Sequence, residues 1–183
     1  MNNLLPELRS ATSALHRELD GLVPDPAADP AAYGAYLSHF HDGVAASWKM
    51  LDWGTLGALA LPELSRRKQR YHALESDLER LAILHAKLRD HTGAGAAAST
   101  GCLYVLEGSI HGGRILLGKL SGHPDLPDDS LSFLTGFGDE NGRMWASFME
   151  WINHIDTTPG FIAEAREAAM RTFQHFINSF RQN

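Results

Sequence analysis

Cysteine is nearly absent from this 183-residue sequence: Cys102 stands alone. A single thiol excludes an internal disulfide and any cysteine-built zinc or iron–sulfur site, and a reducing compartment is the simpler expectation. β-Branched apolar residues are also scarce, with 3 Val and 7 Ile against 25 Leu and 23 Ala. Sheets favour the first group and helices the second, so the expected class is all-α. Long hydrophobic runs are missing. The longest stretch free of Asp, Glu, Lys and Arg is residues 91–106, 16 residues rich in Gly, Ala, Ser and Thr. A membrane span needs roughly 20 apolar residues. Glu7 and Arg9 stand where an export signal would place its apolar core, and Arg181-Gln182-Asn183 form no hydrophobic tail. These features lead to the expectation of a soluble, cytoplasmic protein with no membrane partner. No basic block stands out either: 16 Lys+Arg face 22 Asp+Glu for a net charge of −6, so nucleic acid is not an expected partner.

What is present is helical period. Leu4, Leu8, Ala11, Leu15, Leu19 and Leu22 step by three and four, with Asn2 or Asn3 as cap and Gly21 and Pro24 marking the end. Asp29-Pro30 opens a second helix with Tyr33, Leu37, Phe40, Val44, Trp48 and Leu51 inward. Gly54 and Gly57 interrupt the pattern. A third helix starts at Pro62 or Ser65 and runs to about Arg89, with Arg67, Tyr71, Leu74, Leu78 and Leu81 as its stripe and the basic run Arg66-Arg67-Lys68-Gln69-Arg70 in its first turns. Such a run reads as a solvated helix start, or as a dock for an acidic electron donor. From Ala96 one helix is expected to continue to Leu117 despite Gly101, Gly108, Gly112 and Gly113. Each interior glycine costs about 1 kcal/mol, so something should require them. Met144, Trp145, Phe148, Ile152 and Ile155 mark a further helix, and Thr158-Pro159 starts the last, with Ile162, Ala165, Ala169, Phe173, Phe176 and Phe180 inward. Six or seven helices in one domain, residues 1–183, are expected.

Spacing excludes several familiar sites. Gly118-Lys119 is followed by Leu120, so no phosphate loop is present. No Glu is followed three residues later by His, the pair that di-iron bundles use, and no two of the ten His lie four apart as a helical zinc pair would. Ser109 lacks the glycine two places earlier that a nucleophile elbow needs. Two features remain. His16 stands at the edge of the first helix's leucine stripe, able to point into a cleft. Asp20, one turn on, can accept the imidazole's second N–H and fix its tautomer for a metal bond. Arg9 lies two turns back, about 10 Å along the axis, a spacing that suits a flat cofactor with iron at its centre and carboxylates at its edge. The plain alternative is a helical His beside an intrahelical ion pair. The second feature is the run Tyr104-Val105-Leu106-Glu107-Gly108-Ser109-Ile110-His111-Gly112-Gly113. Gly108 and Gly112 strip one helix face of Cβ atoms, so that either a ligand or another helix can approach the backbone.

These two runs carry a resemblance. Leu8-Arg9-Ser10-Ala11-Thr12-Ser13-Ala14-Leu15-His16-Arg17-Glu18-Leu19-Asp20 resembles the first-helix signature of heme oxygenases. Tyr104 to Gly113 resembles their distal-helix signature, particularly in the bacterial branch associated with bacteriophytochromes. The resemblance implies a helical fold that sandwiches heme between a proximal and a distal helix. It implies His16 as the iron ligand, with Arg9, Thr12, Asp20, Gly108, Gly112 and Gly113 as further heme-binding residues. Gly108, Ser109, His111 and Gly112 would form the catalytic distal face, where a wall of backbone and water carries no acid aimed at bound dioxygen. The activity implied is oxidation of heme by O2 to biliverdin, carbon monoxide and ferrous iron. Electrons would come from an external donor such as ferredoxin, flavodoxin or a reductase, and a phytochrome would receive the biliverdin. A non-degrading heme carrier, store or sensor on the same fold is the alternative. His111 departs from the branch, which usually has an apolar residue there. It stands about 80° from the centre of the glycine face, where it either ligates iron as a second His or joins a proton-delivering water network.

Overall fold

The computed structural model describes residues 3–127 and 129–181. Among the described residues nine α-helices follow one another: α1 (Leu4–Leu22), α2 (Pro30–Trp48), α3 (Trp53–Ala58), α4 (Leu64–Arg80), α5 (Ala96–Gly108), α6 (Ile110–Leu120), α7 (Ser132–Thr135), α8 (Asn141–His154) and α9 (Pro159–Arg181). A 3-10 turn covers Gly138–Glu140, and no strand occurs among the described residues. Asn2 lies outside the described residues, and Asn3 makes no side-chain cap bond. Asp29 does cap α2, accepting the Ala32 N–H at 2.7 Å with Pro30 in the first turn. Thr158 likewise accepts from Phe161 N at 3.1 Å at the start of α9.

The long α9 is the axis of the fold, packed on α1, α2 and α5. Its Ala165, Ala168 and Ala169 keep that approach close. The need for glycine in α5 is met here: a Cβ on Gly101 would lie 2.0 Å from the Ala165 carbonyl oxygen, so only glycine lets the two backbones touch.

Four expectations change. Gly54 and Gly57 do not interrupt structure: they lie in α3, which Asp52 caps by accepting Thr55 N at 3.0 Å. α4 ends at Arg80, not near Arg89. Ala82 adopts φ 55°, with Ile83 N donating to Leu78 O and Ala82 N to Glu79 O. This double closure satisfies the last carbonyls of a helix without glycine, which is why composition alone did not reveal it. The helix expected from Ala96 to Leu117 is broken at Ser109 into α5 and α6. Finally, the basic run is no solvated start. Arg67 is 0% and Arg70 4% exposed. Arg67 ion-pairs with Glu107 and donates to Met144 O, Ser147 Oγ and Pro62 O, tying α4 to α5 and α8. Arg66 pairs with Glu140 and Lys68 with Asp90, so the run presents no free cationic block.

Candidate functional site

α1 changes role along its length. Leu4, Leu5, Leu8 and Thr12 are buried against the core, while Leu15, Leu19 and Leu22 are only half-buried. The apolar face of the second half borders a cavity of about 900 Å³, within the roughly 300–1,000 Å³ range of organic-ligand sites. Thr12, His16 and Asp20 of α1 line it together with Gly108, Ser109, His111 and Gly112 of the α5–α6 break. Two segments 92 residues apart at His16 and Gly108 thus share one chamber.

His16 is oriented. Its Nδ1 lies 2.9 Å from Asp20 Oδ2, and its ring stands edge-on to Phe173 at 5.6 Å. With Nδ1–H donating to the carboxylate, the Nε2 lone pair is left for a ligand. Gly112 faces open space, for a Cβ there would meet nothing within 4 Å, and at Gly108 it would meet only Trp145 Cη2 at 4.0 Å. Among the described residues only the Trp145 ring of α8 approaches this face, so close packing of helix backbones does not account for these two glycines. Gly113 differs, because each helical residue turns about 100° from the last. It is buried and packs on Leu134 of α7, outside the cavity wall.

Ser109 lines the cavity, but its hydroxyl is engaged behind the helix. Oγ donates to Leu106 O at 2.6 Å and accepts from Arg70 Nη2 at 3.0 Å. It therefore secures the break and has no proton left for a ligand. His111 stands edge-on to Trp145, with ring centroids 4.9 Å apart and an interplanar angle of 85°. Arg9 is exposed and is not part of the wall; it stands beside the Tyr104 phenol. Burial raises that phenol's pKa, with Thr12 and Arg9 opposing. The cation in the wall is instead Lys119 of α6, whose Nζ is 3.4 Å from Asp25 Oδ1.

The remaining wall is aromatic: Tyr36 and Phe40 of α2 and Phe173, Phe176 and Phe180 of α9. Burial pushes the Tyr36 phenol up to about 12, against the lowering effect of Arg70. Sequence period places these rings inward without distinguishing a packed core from a chamber wall. The signal available was their number, three Phe on one face of one helix. Lys119 and Asp25 had no local signal, since they meet only through the fold. Cys102 is fully buried, its thiol is pushed up to about 12 by burial, and it takes no part in the site.

Among the described residues no three His, Cys, Asp or Glu side chains group to hold a bare metal ion, and no helix is long and apolar enough to cross a membrane. A metal held through His16 would have to bring its other ligands with it, as a metalloporphyrin does. A flat apolar group with a charged edge suits the apolar walls, the single oriented imidazole, the open glycine backbone and the rim lysine.

No family model matches the sequence, and no curated protein matches it. Among solved structures, the chain is similar to the NO- and CO-bound heme oxygenase from Neisseria meningitidis. The two are 26% identical, the match covers 96% of this chain and 88% of that one, and the TM-score is 0.78. The chain has the all-α heme oxygenase fold.

Proposed function

We propose that this protein is a heme oxygenase that opens the porphyrin ring of heme to biliverdin, with release of carbon monoxide and ferrous iron. The observation that carries the reading is the meeting of His16, oriented by Asp20, with the bare Gly108/Gly112 backbone in one cavity. The similarity to a heme oxygenase of known structure supports it. Heme is the substrate, and when bound it also supplies the iron at which dioxygen is activated, with electrons from a separate donor.

The chain's own part is placement. His16 Nε2 would ligate the iron of bound heme, with Asp20 holding the other ring nitrogen protonated. Gly108 and Gly112 leave the chamber opposite His16 open and contribute no acidic side chain to it, which would suit a heme whose iron activates dioxygen without a distal acid. The aromatic wall excludes bulk water from the apolar edge of the ring. Lys119 takes over the propionate role expected of Arg9, exchanging Asp25 for a substrate carboxylate. Arg67, Arg70 and Ser109 act behind the wall as positioning residues that hold the α5–α6 break.

The direct test is to add hemin and a reductant under air and follow absorbance. Loss of the Soret band with growth of a biliverdin spectrum is expected; stable heme with no biliverdin would leave a carrier or sensor instead.

Gly112→Leu introduces a branched side chain into the open space at the bare face. Turnover is expected to fall about 100-fold or more, the scale set by a misplaced reacting geometry, while circular dichroism stays unchanged. Normal turnover in the folded variant would remove this face from the mechanism.

His111 packs on Trp145, and we propose that it stays off iron. Bound ferric heme should then take one protein ligand only, and His111→Leu should still turn over with an altered pH profile. A low-spin bis-histidine EPR spectrum that vanishes in His111→Leu would overturn this and favour the sensor.

A further inference from the structure

A second cavity of about 510 Å³ lies at α4, α7 and the turn that follows α7. Its wall includes Arg66, Gln69, Arg70, Ser132 and Thr135, with Leu131, Ala73 and Phe137 as its apolar part. Among the described residues no carboxylate lines it, although Glu63 and Glu140 ion-pair with its Arg66. Arg70 is the unusual member. It is 4% exposed, and its hydrogen-bond acceptors are neutral: Leu106 O at 3.2 Å and Ser109 Oγ at 3.0 Å. Its Nε has no hydrogen-bond partner, and its guanidinium lies 4.5 Å from the Phe133 ring centroid. The buried carboxylate of this network, Glu107, ion-pairs with Arg67 and acts on Arg70 through its charge, without a hydrogen bond to it. Buried charges are as a rule paired, and here a buried cation with no hydrogen-bonded counter-ion among the described residues borders a cavity that no described carboxylate lines.

We propose that this cavity binds a small organic carboxylate with an apolar body. The body lies on Phe137, Leu131 and Ala73. The carboxylate faces the exposed Gln69 amide and Arg66, where it competes with Glu140 and Glu63, and adds negative charge beside Arg70. A fully charged, strongly hydrated ion such as phosphate would leave the apolar half of the wall unused. Because Arg70 also donates to Ser109 at the α5–α6 break, occupancy changes the charge balance at the residue that holds the heme-facing helix. This second consequence rests on the heme oxygenase reading; the binding itself does not.

The binding test uses the heme-free chain and calorimetric titration with benzoate, benzyl alcohol and inorganic phosphate. Saturable binding of one benzoate is expected, with benzyl alcohol and phosphate each weaker by about tenfold or more. Ala73→Trp, which fills the cavity, and Arg66→Ala, which removes its outer cation, should each weaken benzoate by about tenfold, with circular dichroism verifying the fold. Three results would overturn the proposal: no saturable benzoate binding, benzyl alcohol or phosphate binding as well as benzoate, or benzoate affinity unchanged in both variants. For the coupling, benzoate added to the hemin-loaded protein should shift the Soret band, and Ala73→Trp should lose the shift. Benzoate bound without any Soret shift would overturn the coupling alone. Failure to bind hemin would instead overturn the heme reading and leave the titration result standing.

Discussion

His16→Ala is expected to abolish biliverdin formation, by more than about 100-fold, and to weaken heme binding. Loss of a partner that merely orients a metal ligand costs about 10–100-fold, and loss of the ligand itself should exceed that. No substitute is at hand on α1. The other cavity imidazole, His111, is packed edge-on against Trp145 of α8. Removing the ring leaves a space at the Phe173 edge that free imidazole can enter, so added imidazole should restore part of the Soret spectrum and part of the turnover. Asp20→Asn should give a smaller loss, within about 10–100-fold, because the ligand remains but its tautomer is no longer held. The measurement is the hemin-plus-reductant assay with and without imidazole. Full activity of His16→Ala without imidazole would take His16 out of the mechanism.

The largest effect on stability is expected from one methyl group. Gly101→Ala places a Cβ 2.0 Å from the carbonyl oxygen of Ala165 and 2.7 Å from its carbonyl carbon. These are backbone atoms in the second turn of α9, so no side-chain rotation relieves the overlap and the two helices must separate. Overpacking of this kind costs about 1–3 kcal/mol, and a backbone obstacle puts the expected loss at or above about 3 kcal/mol. Helix propensity acts the other way, since alanine in a helix interior is favoured over glycine by about 1 kcal/mol. The sign of the change therefore decides which effect wins. Urea denaturation should show a clearly lower midpoint with the slope unchanged. A higher midpoint would mean that α5 and α9 are not in backbone contact. Because α5 leads directly into the Gly108 face, the separation should also loosen heme binding.

Much of this protein was legible in one dimension. Scarce β-branched residues and the three-and-four spacing of Leu and Ala determine an all-α chain, because helix period and propensity are local properties. Asp29-Pro30 and Thr158-Pro159 determine where α2 and α9 begin, since an oxygen-bearing cap and a first-turn proline act within four residues. The His16–Asp20 bond is equally local: residues four apart on a helix are neighbours whatever surrounds them.

What lies opposite a helix face is another matter, and tertiary structure alone decided it. Gly101 and Gly112 belong to the same glycine-rich run, yet one touches the α9 backbone and the other faces the open cavity. Phe40 and Phe176 repeat with the period of core residues and also form the cavity wall. Arg67 shares the stripe of Tyr71 and Leu74 and is buried with them, but the basic run it belongs to reads as a solvated helix start, and only the fold brings Glu107, Leu106 O and Ser109 to Arg67 and Arg70 from α5 and its break. Arg9 sits on the right helix for a propionate, whereas the fold brings Lys119 and Asp25, 94 positions apart, to the cavity wall. Periodicity reports which side of a helix turns inward. Whether backbone, side chain or empty space waits there depends on contacts between distant segments, which form only when the whole chain packs.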